Sequence, residues 1–268
     1  MEGVLDLTSE IKIEIATLIT LIKVANQKSL VIYDDYVNNN NLVVDTKKDD
    51  SPVTQADLVV SQYLCQELKR LYPEIPIICE ETRNQNYQDR KQYPYFWCID
   101  PIDGTREFLK KNGEFTINIG LIKGTQPILG IVSCPPQDTI YFALENYGAY
   151  KLHQDKLTKI SCRKPLTKPV IITSRSHSNP ETEKYLSRFG DYTAISRGSS
   201  LKFLEVAEGK ADYYPRLTGS MEWDTAASHI IVLEAGGEIT LIDDETKTLT
   251  YNKENLLNPF FLVNYKSN

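Results

Sequence analysis

Residues 97–108 read Trp-Cys-Ile-Asp-Pro-Ile-Asp-Gly-Thr-Arg-Glu-Phe. The segment closes an apolar run, Tyr95 to Ile99, dense in aromatic and β-branched side chains, which is the composition of a buried strand. The run breaks at Asp100. Pro101 then fixes φ and carries no amide proton, and Asp103-Gly104 is a turn pair, so the strand ends in a turn that brings Asp103 round beside Asp100. Two carboxylates and a free main-chain carbonyl converge on one point, an oxygen-rich geometry that magnesium favours. An isolated Asp-x-x-Asp-Gly is more often a solvated turn, so its neighbours have to decide.

Upstream, Ile75 to Cys79 is a second short buried strand, and it too ends in acid: Glu80-Glu81, adjacent charges that repel unless solvent or a cation intervenes. Further upstream, Thr54 stands three residues before Asp57 in the pattern of a capping box. It opens an amphipathic helix through Leu58, Tyr63, Leu64, Leu68 and Leu71 that stops at Pro73, and places Asp57 in the first turn. Downstream, Asp224 follows Trp223 at the start of a helix over 225–234, where the dipole favours an anion. Taken singly, Glu80-Glu81 is a surface pair and Asp57 and Asp224 are helix caps. Taken together, these acids lie where apolar strands end or apolar helices begin, at the edge of a core.

The remaining chain fills out an α/β (α+β) domain. Ile11, Ile15, Leu18, Ile19 and Ile22 lie on one face of a first helix capped by Thr8 or Ser9, and residues 34–51 form a polar loop with a short hairpin. Alternating segments over 115–122, 128–133, 139–143 and 149–153 predict an antiparallel meander. Beyond Pro169 the pattern turns to mixed α/β: a strand over 170–173, helices near 180–188 and 201–208, a strand over 212–214, and the helix ending before Gly236-Gly237. Two lobes, 1–165 and 166–268, are expected to meet near residue 165.

Composition narrows the function. With 30 Lys plus Arg against 36 Asp plus Glu in 268 residues, the net charge is −6, which argues against broad binding of a nucleic-acid polymer. Acidic and basic residues interrupt the greasiest stretch, 11–24, so no transmembrane segment is expected. The amino-terminal residues lack the features of a secretory signal, and a cytoplasmic location is expected. The five cysteines form no Cys-x-x-Cys pair and the three histidines stand apart, so a zinc site is not expected and the cysteines read as reduced thiols. An aspartyl-phosphate hydrolase would need one residue between its two aspartates. Here there are two, Pro101 and Ile102, which favours metal-activated water over a covalent intermediate.

The segment 100–108, with Glu80-Glu81 and Trp223-Asp224-Thr225-Ala226-Ala227, resembles the three-part signature of the inositol monophosphatase superfamily of magnesium-dependent, lithium-sensitive phosphatases. The likeness covers nearly the whole chain. Residues 51–57, 113–122, 174–177 and 198–203 make it most similar to the 3'(2'),5'-bisphosphate nucleotidases, which remove the 3'-phosphate of adenosine 3',5'-bisphosphate, a by-product of sulfate activation, to give AMP. The resemblance implies a layered αβαβα sugar-phosphatase fold. It also implies one Mg2+ on Glu80, Asp100 and the carbonyl of Ile102, a second on Asp100, Asp103 and Asp224, and a third, weaker ion near Glu80. Thr105, backed by Asp57, would orient and help deprotonate the attacking water, with amides near Gly104 and Thr105 on the phosphate. Ser174, His177, Gly198 and Lys202 would line the nucleoside and second-phosphate region, and Arg216 could add a cation. The ligand is then a small nucleotide bisphosphate, with no obligatory protein partner. Inositol monophosphatase or fructose-1,6-bisphosphatase activity is the enzymatic alternative, and a non-catalytic metal- or phosphate-sensing module is the alternative of another class.

Overall fold

The computed structural model describes residues 3–7, 11–47, 52–82, 85–175 and 179–267, so Thr8, Ser9, Ser51 and His177 lie outside the described residues. Strand β1 (Val4–Asp6) pairs antiparallel with β2 (Lys12–Glu14), and α1 follows over Ile15–Asn39. The helix therefore begins later than its apolar spacing indicates. Lys12 to Glu14 alternate exposed, buried, exposed around Ile13, a strand period, and the Ile15 amide bonds to Gly3 O at 3.0 Å.

The helix also ends later, and 34–39 are not loop. The Tyr33 ring packs 5.0 Å from Phe108 and 5.1 Å from Phe115, while the Tyr36 hydroxyl donates to Leu109 O at 3.1 Å. These tertiary contacts carry the helix through a locally turn-like composition, until Asn40 adopts a left-handed φ of 56°. Among the described residues α1 is the one helix long and apolar enough to cross a membrane. Its apolar face, with Leu18, Ile19, Ile22 and Ala25, is instead part of the protein core.

The expected hairpin is present as β3 (Val44–Thr46) against β4 (Pro52–Thr54). Helix α2 (Gln55–Leu71) opens on the Thr54–Asp57 capping box and buries Ala56, Val60, Leu64 and Leu68; Leu58 points outward at 50% exposure.

A seven-stranded sheet comes next, in the order β11-β10-β9-β8-β7-β6-β5. It comprises β5 (Ile77–Cys79), β6 (Tyr95–Asp103), β7 (Thr116–Lys123), β8 (Gln126–Cys134), β9 (Thr139–Leu144), β10 (Gly148–His153) and β11 (Lys156–Ile160). The short helices α3 (Tyr87–Arg90) and α4 (Thr105–Leu109) flank β6. All pairings are antiparallel except β5 with β6. The meander is as expected, with β11 as an additional edge strand whose side chains are mostly exposed.

A second sheet, ordered β13-β12-β14-β16-β15, is built from β12 (Val170–Ser174), β13 (Thr193–Arg197), β14 (Tyr213–Arg216), β15 (Gly237–Leu241) and β16 (Phe261–Tyr265). Its helices are α5 (Pro180–Leu186), α6 (Leu201–Ala207) and α7 (Glu222–Glu234). Helices α1 and α2 cover the outer face of the first sheet. Helices α6 and α7 fill the space between the sheets, and α5 lies beyond the second. All five cysteines are free thiols.

Helix α7 lies against glycines of the first sheet. A Cβ on Gly130 would fall 2.1 Å from Ala227 O and 2.6 Å from the Ile230 side chain, and one on Gly120 would fall 2.9 Å from Ala226 Cβ. Close approach of helix to sheet thus depends on two missing side chains. Gly130→Ala should destabilise the fold by about 1–3 kcal/mol or more through overpacking, read as a fall in Tm. Because α7 carries Asp224, activity should fall with it; an unchanged Tm would mean that the helix does not bear on Gly130.

Candidate active site

The acidic turn is a bulge in β6. Asp100 faces Asn118 and Asp103 faces Thr116, with a register shift between them. Two residues on β6 therefore oppose one on β7, and Pro101, which has no amide to give a ladder, is accommodated there. The Ile102 amide donates to Asp100 Oδ1 at 3.1 Å. Gly104, at φ 91°, turns the chain into α4; this positive φ is the conformation for which glycine is suited.

Thr105 opens α4 and its hydroxyl lies 3.3 Å from both Asp57 Oδ1 and Ile102 O. Asp57 is wholly buried, and its other oxygen accepts from Thr54 N at 2.8 Å and Thr54 Oγ1 at 2.6 Å. Burial pushes the Asp57 carboxyl up to about 6 against the pull of the Thr54 donors, with Glu81 and Glu80 adding to the rise. Glu80 begins a short helical turn after β5. Lys47, from the hairpin end of β3, puts its ammonium 2.6 Å from Glu80 Oε1 and 2.6 Å from Glu81 Oε1.

Residues beyond 170 supply the rest of the lining. Asp224 stands in the first turn of α7 and accepts from Met221 N at 2.9 Å, the capping role its sequence position indicates, and it lines the same cavity. Glu80, Asp100, Ile102, Asp103, Gly104, Thr105, Ser174, Gly198, Lys202 and Asp224 line one cavity of about 240 Å³. Asp57 stands behind Thr105. Arg216, Ser199, Arg106 and Pro52 also line it, and Arg216 donates to Thr218 O and Gly219 O at 3.2 and 2.7 Å. Lys47 and Ser200 escaped the sequence reading. Lys47 sits in the polar stretch taken as a loop, and its only local signal is the Lys47-Lys48 pair beside an acidic run.

The electrostatics are those of a cation site. Burial first, then Glu80, Asp103, Asp224 and Asp57, hold the Asp100 carboxyl well above the usual carboxylate range. Burial, then Asp103 and Glu80, push Asp224 up to about 7. All the candidate ligand atoms are oxygens, and their mutual repulsion is what a hard divalent cation relieves. Among the described residues no three acidic side chains are already arranged around one point as a metal-holding group, and Lys47 holds Glu80. The donor set fits a divalent cation, with the Lys47 ammonium already serving as a positive counter-charge at one edge.

A sequence model of the inositol monophosphatase family matches residues 15–260. The chain belongs to the inositol monophosphatase family. Within it, the chain is 42% identical over 218 residues to the 3'(2'),5'-bisphosphate nucleotidase CysQ of Salmonella typhimurium, covering 81% of this chain and 87% of the relative. It is 39% identical over 229 residues to the CysQ of Escherichia coli, covering 85% and 91%. The crystal structure of CysQ from Bacteroides thetaiotaomicron superposes with a TM-score of 0.78 at 36% identity, covering 91% and 94%. The layered α/β architecture is that of the family, and membership implies dependence on a divalent metal.

For a family site held by buried carboxylates, the metal-free protein should be pH-sensitive. A carboxyl whose folded pKa exceeds its unfolded value, ~4, binds its proton more tightly when folded, so stability falls as pH rises through that interval. Asp57 (to about 6), Asp224 (to about 7) and Asp100 all act in this sense. His229 acts oppositely, because burial pulls it down to about 3 and its stability is lost as pH falls below ~6.5. Between about pH 6.5 and 7.5 the carboxylates dominate. In chelator, Tm should therefore decline across that interval and the divalent cation should reverse the decline; a rise in Tm without metal would contradict the assignment.

Proposed function

We propose that the protein is a cytoplasmic, Mg2+-dependent 3'(2'),5'-bisphosphate nucleotidase that hydrolyses the 3'-phosphate of adenosine 3',5'-bisphosphate to give AMP and phosphate. The observation that carries this reading is the mixed charge of the cavity. The carboxylates of Glu80, Asp100, Asp103 and Asp224 line it together with the buried Lys202 and the half-buried Arg216. A substrate with one phosphate at the metals and a second across the ribose would engage both the carboxylate-held cations and the side-chain cations; an ester with one phosphate leaves Lys202 and Arg216 unused.

Glu80, Asp100 and the carbonyl of Ile102 would hold one Mg2+, Asp100, Asp103 and Asp224 a second, and the Glu80 edge a third. When bound, the cations polarise the phosphoryl oxygens and make a water more acidic. The chain's own part is proton movement and orientation. Thr105 donates its hydroxyl proton toward Asp57 Oδ1, 3.3 Å away, which frees the Thr105 oxygen to accept a proton from the attacking water. A hydroxyl alone is a poor base, and the buried Asp57 behind it supplies the basicity. The amides of Gly104 and Thr105, at the start of α4, face the phosphate. Lys202 and Arg216 hold the second phosphate, with Ser174, His177 and Gly198 beside the nucleoside. The reacting phosphate lies between lobes 1–165 and 166–268.

The test is phosphate release with Mg2+ from adenosine 3',5'-bisphosphate, inositol 1-phosphate and fructose 1,6-bisphosphate at matched concentrations. A strong preference for the nucleotide is expected. Preference for the inositol or sugar ester would overturn the substrate, and no release from any of them would overturn the enzyme.

A further inference from the structure

Two hydrogen-bond relays meet at one oxygen of Asp103. On one side, Ser200 Oγ donates to Asp103 Oδ2 at 2.7 Å and accepts from Asn118 Nδ2 at 2.9 Å. On the other, Ser199 Oγ donates to the same Oδ2 at 3.0 Å and lies 2.5 Å from Thr116 Oγ1. Thr116 Oγ1 and Asn118 Nδ2 also approach Oδ2, at 3.4 and 3.5 Å. Ser200, Asn118 and Thr116 are wholly buried.

A hydroxyl has one proton. Ser200 Oγ also lies 3.3 Å from Asp224 O, but the shorter, charge-assisted bond to the carboxylate takes the proton. The Asn118 amide completes the arrangement by filling a lone pair of Ser200, which turns the hydroxyl proton toward Asp103. The relay joins the first sheet to the start of a helix in the second half of the chain: Asn118 belongs to β7, and Ser200 immediately precedes α6.

We infer that Ser200, oriented by Asn118, is a positioning residue that pins Asp103 through Oδ2 and so presents its other oxygen, Oδ1, to a divalent cation. The inference rests on Asp103 being a metal ligand. A carboxylate on a single Cβ rotates freely in solvent, and fixing one oxygen fixes the other. Ligand-orienting groups of this kind commonly set metal affinity.

The experiment titrates Mn2+ alone, without substrate, into chelator-stripped wild type, Ser200→Ala, Asn118→Ala and the double variant by calorimetry. Ser200→Ala should weaken Mn2+ binding roughly tenfold. Asn118→Ala should weaken it less, and the double variant should lose no more than Ser200→Ala, because Asn118 acts through Ser200. In turnover, the Ser200→Ala loss should appear as a higher metal concentration for half-maximal rate, with KM for the nucleotide at saturating metal unchanged. Should the alanine variant not fold, Ser200→Cys keeps the volume with a weaker donor and gives the same readout. Wild-type affinity in the Ser200 variant, or additive losses in the cycle, would overturn the inference. A wild-type protein that bound no Mn2+ would overturn the ligand assignment beneath it, a separable failure.

Discussion

Asp100→Asn should lower kcat on the order of 10³-fold or more while leaving the metal-free protein at least as stable as wild type. The size follows from the proposed role of Asp100 as a ligand to both cations: losing several kcal/mol of charge stabilisation at the transferring phosphoryl group costs a factor of ten for each ~1.4 kcal/mol. The stability follows from the same carboxylate seen without metal. Asp100 is 1% exposed, and burial together with Glu80, Asp103, Asp224 and Asp57 penalises its charge. Asparagine removes that charge, keeps the volume, and retains an oxygen for the Ile102 amide. Thermal melts should therefore show no loss of Tm in chelator and a lost or diminished rise on adding Mg2+. Near-normal kcat would end the two-cation reading, and a collapse of Tm in chelator would make Asp100 a structural residue instead.

The parts legible in the sequence are those whose causes are local. The Thr54–Asp57 capping box needs only four consecutive residues, and Pro101 beside Gly104 sets the bulge and turn from within the strand. The acids at strand ends were legible for the same reason. What was not legible depends on distant partners. Residues 34–39 have a loop's composition, and contacts of Tyr33 and Tyr36 with Phe108, Phe115 and Leu109, some seventy or more positions on, help hold them in α1. Strands β13, β15 and β16 are short and complete a sheet whose other members lie far along the chain. Lys47 is one lysine among many until folding sets it against Glu80 and Glu81.

The same division explains the active site. Folding brings the carboxylates of β6, the turn after β5 and the start of α7 into one cavity with the cations of α6 and β14. The acids were visible as separate motifs. Lys202 and Arg216 were reached only through the family resemblance, since a lone lysine or arginine acquires meaning when folding removes the solvent that would otherwise satisfy it.

Lys202→Ala should raise KM for adenosine 3',5'-bisphosphate by roughly 10- to 100-fold, the worth of a hydrogen bond to a charged group, about 1.5–3 kcal/mol. Its kcat should change little, because the second phosphate lies away from the reacting bond. Lys202 is 5% exposed, donates to Ser199 O at 2.6 Å, and stands 5.7 Å from the Tyr214 ring centroid. Burial, then the Arg216 charge, pull its ammonium down to about 8, against Asp103, Glu107 and Asp224. A buried ammonium beside the like charge of the half-buried Arg216 destabilises the free protein, so truncation should not lower Tm much, and an anion between them is what offsets the repulsion. The depressed ammonium adds a second signature, since KM for the bisphosphate should climb as pH rises past about 8 in wild type and not in the variant. A 3'-monophosphate lacking the 5' group should show neither effect. Equal losses on both substrates would take Lys202 out of the second-phosphate site and leave Arg216 as its cation.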